Sequence, residues 1–148
     1  MSVRNLEKLF SPRRVAIIGA SGRPGSVGWT VLRNMIGSGF DGVVYPVNPK
    51  RESVQGVTAY PRVADVPNVP DLAIVCTPAA TVPGVVDACG EAGVKAVLVI
   101  SAGFAEAGEE GAALQQRLRE TGRRHAGLRI LGPNCLGLVV PGLGLNAT

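Results

Sequence analysis

Aromatic side chains and histidine are scarce in this chain of 148 residues: Phe, Trp and Tyr together make up 4%, and His125 stands alone. Charged residues reach only 18%, the net charge is +4, and the basic residues form no dense run interleaved with aromatics. Nucleic-acid binding commonly depends on such runs, so we expect no nucleic-acid partner. The apolar fraction of 46% argues against intrinsic disorder.

Cysteine is also rare, with residues at positions 76, 89 and 135 and no Cys-x-x-Cys spacing. An odd number without paired spacing argues against a disulfide framework and a zinc site, so we expect no metal and a reducing, cytoplasmic location. No apolar stretch reaches transmembrane length, and residues 1–14 lack the apolar core of a signal peptide. We therefore expect no membrane partner.

What the sequence does contain is an alternation of strand and helix patterns. Apolar runs predict five strands, at residues 14–18, 42–47, 71–76, 95–100 and 128–131. Apolar residues at helical spacing predict helices over residues 26–36, 81–92 and 106–121. The alternation predicts an α/β fold with a doubly wound parallel sheet of the Rossmann-like type, in strand order 3-2-1-4-5.

Two end segments complete the expected organisation. Residues 1–12 predict a short helical arm with Leu6, Leu9 and Phe10 on one face, and residues 13–148 are expected to form one α/β domain. The apolar residues 136–140 are a candidate sixth strand.

Ligands of such sheets bind beyond the carboxyl ends of the strands, so the residues that follow each strand are the candidate site. These residues are small, polar or turn-forming, as a groove lined by backbone requires. The candidate cofactor-binding residues are Gly19, Ser21, Gly22, Arg23, Pro24 and Gly25 after the first strand, Asn48 and Lys50 after the second, Thr77 and Pro78 after the third, Ser101, Ala102 and Gly103 after the fourth, and Pro133, Asn134 and Cys135 after the fifth.

The loop after the first strand carries glycines at 19, 22, 25 and 28 and leads directly into a helix pattern. Glycines permit close approach of an oxygen-rich group, and the free N–H groups of a helix N-terminus favour an anion there. The loop is therefore a candidate site for a diphosphate. The alternative is a glycine-rich turn that serves only strand–helix packing.

The end of the second strand bears on which nucleotide binds. An NAD site usually has Asp or Glu there, whereas this chain has Asn48 followed by Lys50 and Arg51. Cations at this position favour a phosphorylated ribose, either the 2′-phosphate of NADP or the 3′-phosphate of coenzyme A. The alternative is a pair of solvated charges on a loop.

Catalytic groups are nearly absent, and we assign no catalytic residue. His125 lies among arginines at a predicted helix end, and Tyr45 and Tyr60 lack the lysine four residues later that short-chain reductases carry. Cys135 has no histidine beside it to act as a base. Glu106 reads most simply as part of a helix start, together with Glu109 and Glu110.

Taken together, these loops resemble the coenzyme A-binding domain of NDP-forming acyl-CoA synthetases, whose fold is that of the N-terminal part of the succinyl-CoA synthetase α subunit. The order and spacing of several short segments carry the resemblance: residues 9–12, 19–28, 45–50, 99–104, 132–137 and 145–148. The ligand implied is coenzyme A or acetyl-CoA.

The resemblance also implies how the cofactor lies. The glycine loop takes the diphosphate region, and the segment Asn48–Lys50 lies near the adenosine end. The turns at Ser101–Gly103 and Pro133–Cys135 flank the pantetheine arm and thiol. Where the succinyl-CoA synthetase version has an acidic residue, this chain has Ala102, so backbone contacts are expected there rather than side-chain contacts.

Members of the family transfer phosphate through a histidine in a later domain, so this chain is expected to be a binding module of a larger protein, without turnover alone. Its partner domains are expected to be those of an ADP-forming acyl-CoA synthetase or of a GNAT-type protein lysine acetyltransferase. The alternative function is an NADP-binding reductase, whose Gly-x-x-Gly-x-x-Gly spacing Gly19, Gly22 and Gly25 fit.

Overall fold

The computed structural model describes residues 2–148 and places nine strands and four α-helices along the chain. The strands are β1 Arg14–Ile18, β2 Val43–Val47, β3 Ser53–Val54, β4 Val57–Thr58, β5 Leu72–Val75, β6 Ala96–Val99, β7 Arg129–Leu131, β8 Leu138–Val140 and β9 Leu145–Ala147. The helices are α1 Leu6–Phe10, α2 Val27–Gly37, α3 Val82–Glu91 and α4 Glu109–Arg124.

Five of the strands form one parallel sheet in the order β2-β1-β5-β6-β7, with helices on both faces. Both β5 and β6 are buried along their whole length, which explains why their sequences are unbroken apolar runs. The predicted α/β fold with a doubly wound parallel sheet is confirmed.

The predicted strand order 3-2-1-4-5 is wrong. Counted along the chain, the five sheet strands lie in the order 2-1-3-4-5, because β5 pairs with β1 on the side away from β2. The outer edge of β2 is covered instead by Tyr60, which bonds through its backbone to Pro46 and Asn48 at 3.0 and 2.9 Å. The third sheet strand therefore has no place beside β2, and its fully buried sequence suits a position inside the sheet.

The helices divide between the two faces of the sheet. One face is packed by α1, α2 and β9, with Leu9, Leu32 and Leu145 buried in its core. The other is packed by α3 and α4, with Val86 and Leu118 in its core. The segment between β2 and β5 crosses to this second face, where the 3-10 turn Val63–Asp65 buries Val63.

Two details of the predicted elements need correction. The longest helix begins at Glu109 rather than at 106, because Gly108, at φ 107°, breaks the path between a 3-10 turn and α4. The candidate sixth strand does not join the sheet, since Leu138–Val140 pairs antiparallel with Leu145–Ala147 as a separate hairpin. No helix within residues 2–148 combines the length and apolar composition that a membrane crossing requires.

Candidate functional site

A cleft of about 1470 Å³ opens at the carboxyl ends of the sheet strands. The strand order explains its position: the chain leaves β1 toward β2 on one side and pairs β1 with β5 on the other, so their loops diverge there. Ten predicted residues line the cleft: Gly19, Ser21, Arg23, Gly25, Asn48, Lys50, Thr77, Pro78, Ser101 and Ala102.

The glycines of the first loop have different structural roles. Gly19 has φ +92°, and a Cβ on Gly28 would lie 1.8 Å from the carbonyl oxygen of Gly19. Gly28 therefore lets α2 approach β1, which is the packing role. Gly25 has φ +83° and lines the cleft, whereas a Cβ on Gly22 would meet nothing within 4 Å.

The N-terminus of α2 faces this loop and supplies backbone donors. Ser26 caps the helix by accepting a hydrogen bond from the Trp29 N–H at 3.3 Å. Within residues 2–148, the N–H groups of Val27 and Gly28 find no acceptor, and both residues line the cleft. Unpaired N–H groups at the positive end of the helix dipole favour an anion at this point.

The neutral polar side chains of the cleft brace the loops against one another. Asn48 donates to the Ala20 carbonyl at 2.9 Å and accepts from the Lys50 N–H at 2.8 Å, so both ends of its amide are used. Ser101 donates to the Thr77 carbonyl at 2.5 Å, and Ser21 accepts from the Arg23 N–H at 3.0 Å. The Asn48 and Ser101 bonds join neighbouring loops, while the hydroxyl hydrogen of Ser21 stays available to a ligand.

Three cations line the cleft, and they are not equivalent. Arg62 forms a two-pronged ion pair with Asp65, at 3.0 and 2.8 Å. Arg23 and Lys50 have no acidic partner in the described part of the chain, so their charge is available to a ligand. Arg51, the neighbour of Lys50, does not line the cleft.

Sequence reasoning missed one wall of the cleft. It consists of the segment just after Tyr60 and of one face of α3 with the residue that ends it: Pro61, Arg62, Val63, Ala64, Gly84, Val85, Ala88, Glu91 and Ala92. The small residues Gly84, Ala88 and Ala92 recur every four positions, a pattern that marks one open helix face. That pattern was visible in the sequence. The position of Pro61–Ala64 opposite this face of α3 depends on the strand order, which the sequence did not show.

Six predicted residues do not line this cleft: Gly22, Pro24, Gly103, Pro133, Asn134 and Cys135. The last three follow β7, which ends the sheet at the side away from β2. Their turn contacts the turn after β6, because the Asn134 N–H donates a hydrogen bond to the Ser101 carbonyl at 3.0 Å. Cys135 directs its thiol to the Gly137 carbonyl at 3.5 Å.

One thiol lines the cleft, whereas the imidazole lies outside it. Cys76 lines it, but burial raises the pKa of its thiol to about 12, so the thiol is protonated at neutral pH. His125 lies at the end of α4, with Nε2 2.8 Å from Asp87 Oδ1, and does not line the cleft. Among residues 2–148, no three His, Cys, Asp or Glu side chains are grouped as metal ligands.

An open parallel sheet with a glycine loop, a helix N-terminus and free cations at its switch point defines a domain that binds a phosphorylated cofactor. Comparison with known families identifies the class of domain and its cofactor. Residues 13–141 match the CoA binding domain family, and the chain belongs to that family. The predicted coenzyme A ligand is thereby confirmed.

Known relatives share the domain within longer chains. The chain is 45% identical over 148 residues to the α subunit of acetate–CoA ligase [ADP-forming] I from Pyrococcus furiosus, covering 97% of this chain and 32% of the relative. It is 46% identical to acetate–CoA ligase [ADP-forming] I from Archaeoglobus fulgidus, covering 97% and 20%. The chain thus spans a third or less of these relatives.

A solved structure gives the same picture. Dinucleotide forming acetyl-coenzyme A synthetase 1 of Ca. Korarchaeum cryptofilum, in complex with phosphate and ADP, superposes with a TM-score of 0.91 at 43% identity. The match covers 97% of this chain and 30% of that one. The resemblance to acyl-CoA synthetase domains is confirmed at the level of both sequence and fold.

Proposed function

We propose that this domain presents coenzyme A to the remaining domains of an ADP-forming acyl-CoA synthetase. The observation that carries the proposal is the cleft at the switch point, where unpaired N–H groups of α2 meet the free cations Arg23 and Lys50. Relatives at 45% and 46% identity are named as ADP-forming acetate–CoA ligases, which supports the same activity for the whole protein.

In the proposed binding mode, the diphosphate of coenzyme A lies at the N-terminus of α2, beside Gly25 and Arg23. The 3′-phosphate lies at Lys50, whose ammonium is a point charge suited to a phosphate. The pantetheine arm runs past Ser101 and Ala102, which line the far side of the cleft. The turn Pro133–Cys135 lies behind this part of the cleft and is proposed to flank the thiol end.

Two other functions were open at the sequence level. The comparisons give no support to the NADP-binding reductase. A synthetase-like region fused to a lysine acetyltransferase uses the same domain, but the ligase names of the relatives above favour the synthetase. A cytoplasmic location fits the proposed enzyme and stays part of the proposal.

The phosphate assignment is tested by Lys50→Ala, with Arg51→Ala as the matched control from outside the cleft. Calorimetry measures the affinity for coenzyme A and for dephospho-coenzyme A, which lacks the 3′-phosphate. An exposed charge-assisted contact contributes on the order of 1–2 kcal/mol, so Lys50→Ala weakens coenzyme A binding roughly 5- to 30-fold. Dephospho-coenzyme A binding is unchanged, and Arg51→Ala binds both ligands like the parent.

An equal loss of affinity for both ligands in Lys50→Ala would show that Lys50 does not bind the 3′-phosphate. Failure of the parent domain to bind coenzyme A, with the fold intact by circular dichroism, would overturn the proposed function itself. Tighter binding of NADPH than of coenzyme A would revive the reductase alternative.

A further inference from the structure

In the turn that follows β6, side-chain oxygens accept hydrogen bonds from three successive backbone N–H groups. The N–H groups of Gly103 and Phe104 both donate to Oε1 of Glu106, at 2.5 and 3.0 Å. The next N–H, that of Ala105, donates to Oε1 of Gln115 at 3.1 Å. Three successive amides are thus taken up by two side chains.

This turn forms part of the wall of the cleft. Ser101 and Ala102 line the cleft, and Glu106 binds the residues immediately after them. Phe104 is completely buried, so the turn is anchored to the core on that side. Ala102 is exposed, and within residues 2–148 its N–H has no acceptor, so this donor is free for a ligand.

Glu106 is not an ordinary acidic residue of a helix start. It lies in the 3-10 turn Ala105–Ala107, and Gly108 separates it from α4. The helix has its own first-turn acids, Glu109 and Glu110, which suit its dipole. Hydrogen bonds from Gly103, Phe104 and its own N–H lower the pKa of the Glu106 carboxyl, so the carboxylate is ionised at neutral pH.

We propose that Glu106 is a positioning residue for coenzyme A: its carboxylate fixes the Ser101–Phe104 turn so that the Ala102 backbone N–H meets the pantetheine arm. The inference rests on the proposed function, since it places the pantetheine arm along this turn. Glu106 itself does not line the cleft, so its effect on the ligand passes through the backbone. The adenosine end, at Lys50, lies on other loops and is independent of Glu106.

The experiment compares Glu106→Ala, Glu106→Gln and the control Glu109→Ala, which removes a neighbouring charge without touching the turn. Calorimetry measures coenzyme A and adenosine 3′,5′-bisphosphate, a fragment that lacks the pantetheine arm. Loss of two charge-assisted bonds to the turn is expected to weaken coenzyme A binding about 5- to 10-fold in Glu106→Ala. Glu106→Gln, which keeps a neutral acceptor, gives an intermediate affinity. All variants bind the fragment like the parent.

Hydrogen exchange provides a second readout that needs no ligand. The amides of Gly103 and Phe104 exchange faster in Glu106→Ala than in the parent or in Glu109→Ala, whereas amides of β6 are unchanged. Equal weakening of coenzyme A and the fragment would overturn the inference, since it would indicate a general structural role. Unchanged coenzyme A affinity in Glu106→Ala would overturn it as well.

The two proposals fail in different ways. If the parent binds no coenzyme A, the proposed function is wrong, and the positioning role falls with it even where the exchange data confirm the hydrogen bonds. If the parent binds coenzyme A and the Glu106 variants bind it with the same affinity as Glu109→Ala, the proposed function stands and the inference is wrong.

Discussion

At the residue scale, two glycines of helix α2 have different structural roles. Gly28 allows backbone contact between α2 and the end of β1, since any Cβ there would lie 1.8 Å from the Gly19 carbonyl oxygen. Gly37, in the last turn of the same helix, has open space around its Cβ position and no positive φ. A side chain is therefore sterically excluded at Gly28, whereas at Gly37 only the ordinary helix propensity of the residue matters.

Gly28→Ala is expected to lower the free energy of unfolding by about 1–3 kcal/mol, because α2 must move away from the sheet to make room for the methyl group. Gly37→Ala, the same change in the same helix, is expected to be neutral or stabilising by up to roughly 1 kcal/mol. Urea denaturation measures both. A Gly28→Ala variant as stable as Gly37→Ala would contradict the packing role assigned to Gly28.

At the scale of elements, one carboxylate links the short helix α1 to the start of β1, in addition to the packing of Leu9 in the core. Asp71 accepts from Lys8 Nζ at 2.9 Å and from the N–H groups of Arg13 and Arg14 at 2.9 and 3.1 Å. Partial burial raises the pKa of the Asp71 carboxyl, but the hydrogen bonds from Lys8, Arg13 and Arg14 outweigh it, and the net pKa is lowered. The folded state therefore prefers the ionised carboxylate.

Asp71→Asn is expected to lower the free energy of unfolding by about 1 kcal/mol at neutral pH, a modest value because Lys8 is partly exposed. The contribution of the carboxylate is complete above its ordinary pKa of about 4 and disappears as pH falls through the lowered folded pKa. Denaturation curves of parent and variant should therefore converge in acid. Asp41→Asn is the control, because Asp41 makes no ion pair in the described chain.

At the scale of the whole molecule, the cleft belongs to the folded state alone, because segments distant in sequence build it. A ligand at 100 times its dissociation constant then stabilises the fold by about 2.7 kcal/mol. For a domain of this size we expect coenzyme A to raise Tm by roughly 5–10 °C. Thermal melts with NADPH at the same concentration serve as the control, and an equal shift would contradict the coenzyme A assignment.

The chain by itself is expected to leave the cofactor chemically unchanged. His125 does not line the cleft, and the raised pKa of Cys76 keeps its thiol protonated. Incubation with acetyl-CoA, ADP and phosphate should yield no ATP above a protein-free blank. ATP formation that disappears in Cys135→Ser would instead make Cys135 a nucleophile.

Much of the fold was predictable from local pattern, and much of the site was not. The apolar runs at β1, β5 and β6 give the parallel sheet, because strands buried on both faces carry no polar alternation. The strand order was predicted wrongly, because the pairing of β5 with β1 depends on contacts far apart in sequence. The same error concealed the wall formed by Arg62 and α3.

Some polar residues have structural contacts that their type alone does not predict. Asn48, a candidate for cofactor contact, also donates to the Ala20 carbonyl and accepts from the Lys50 N–H. Glu106 was read as a helix start, yet its carboxylate binds the turn before that helix. Hydrogen-bond partners of this kind depend on turn geometry, which residue type alone does not encode.

The sequence by itself determined the strands of the parallel sheet, the main helices and the glycine loop, because side-chain periodicity and turn chemistry are set within a few neighbouring residues. The family was indicated separately, by the resemblance of several short segments in their order and spacing. Only the tertiary structure decided which loops converge on the cleft and that Lys50, rather than Arg51, faces it. Those outcomes follow from which strands pair and which faces are buried, and such pairings are settled by the packing of the whole chain.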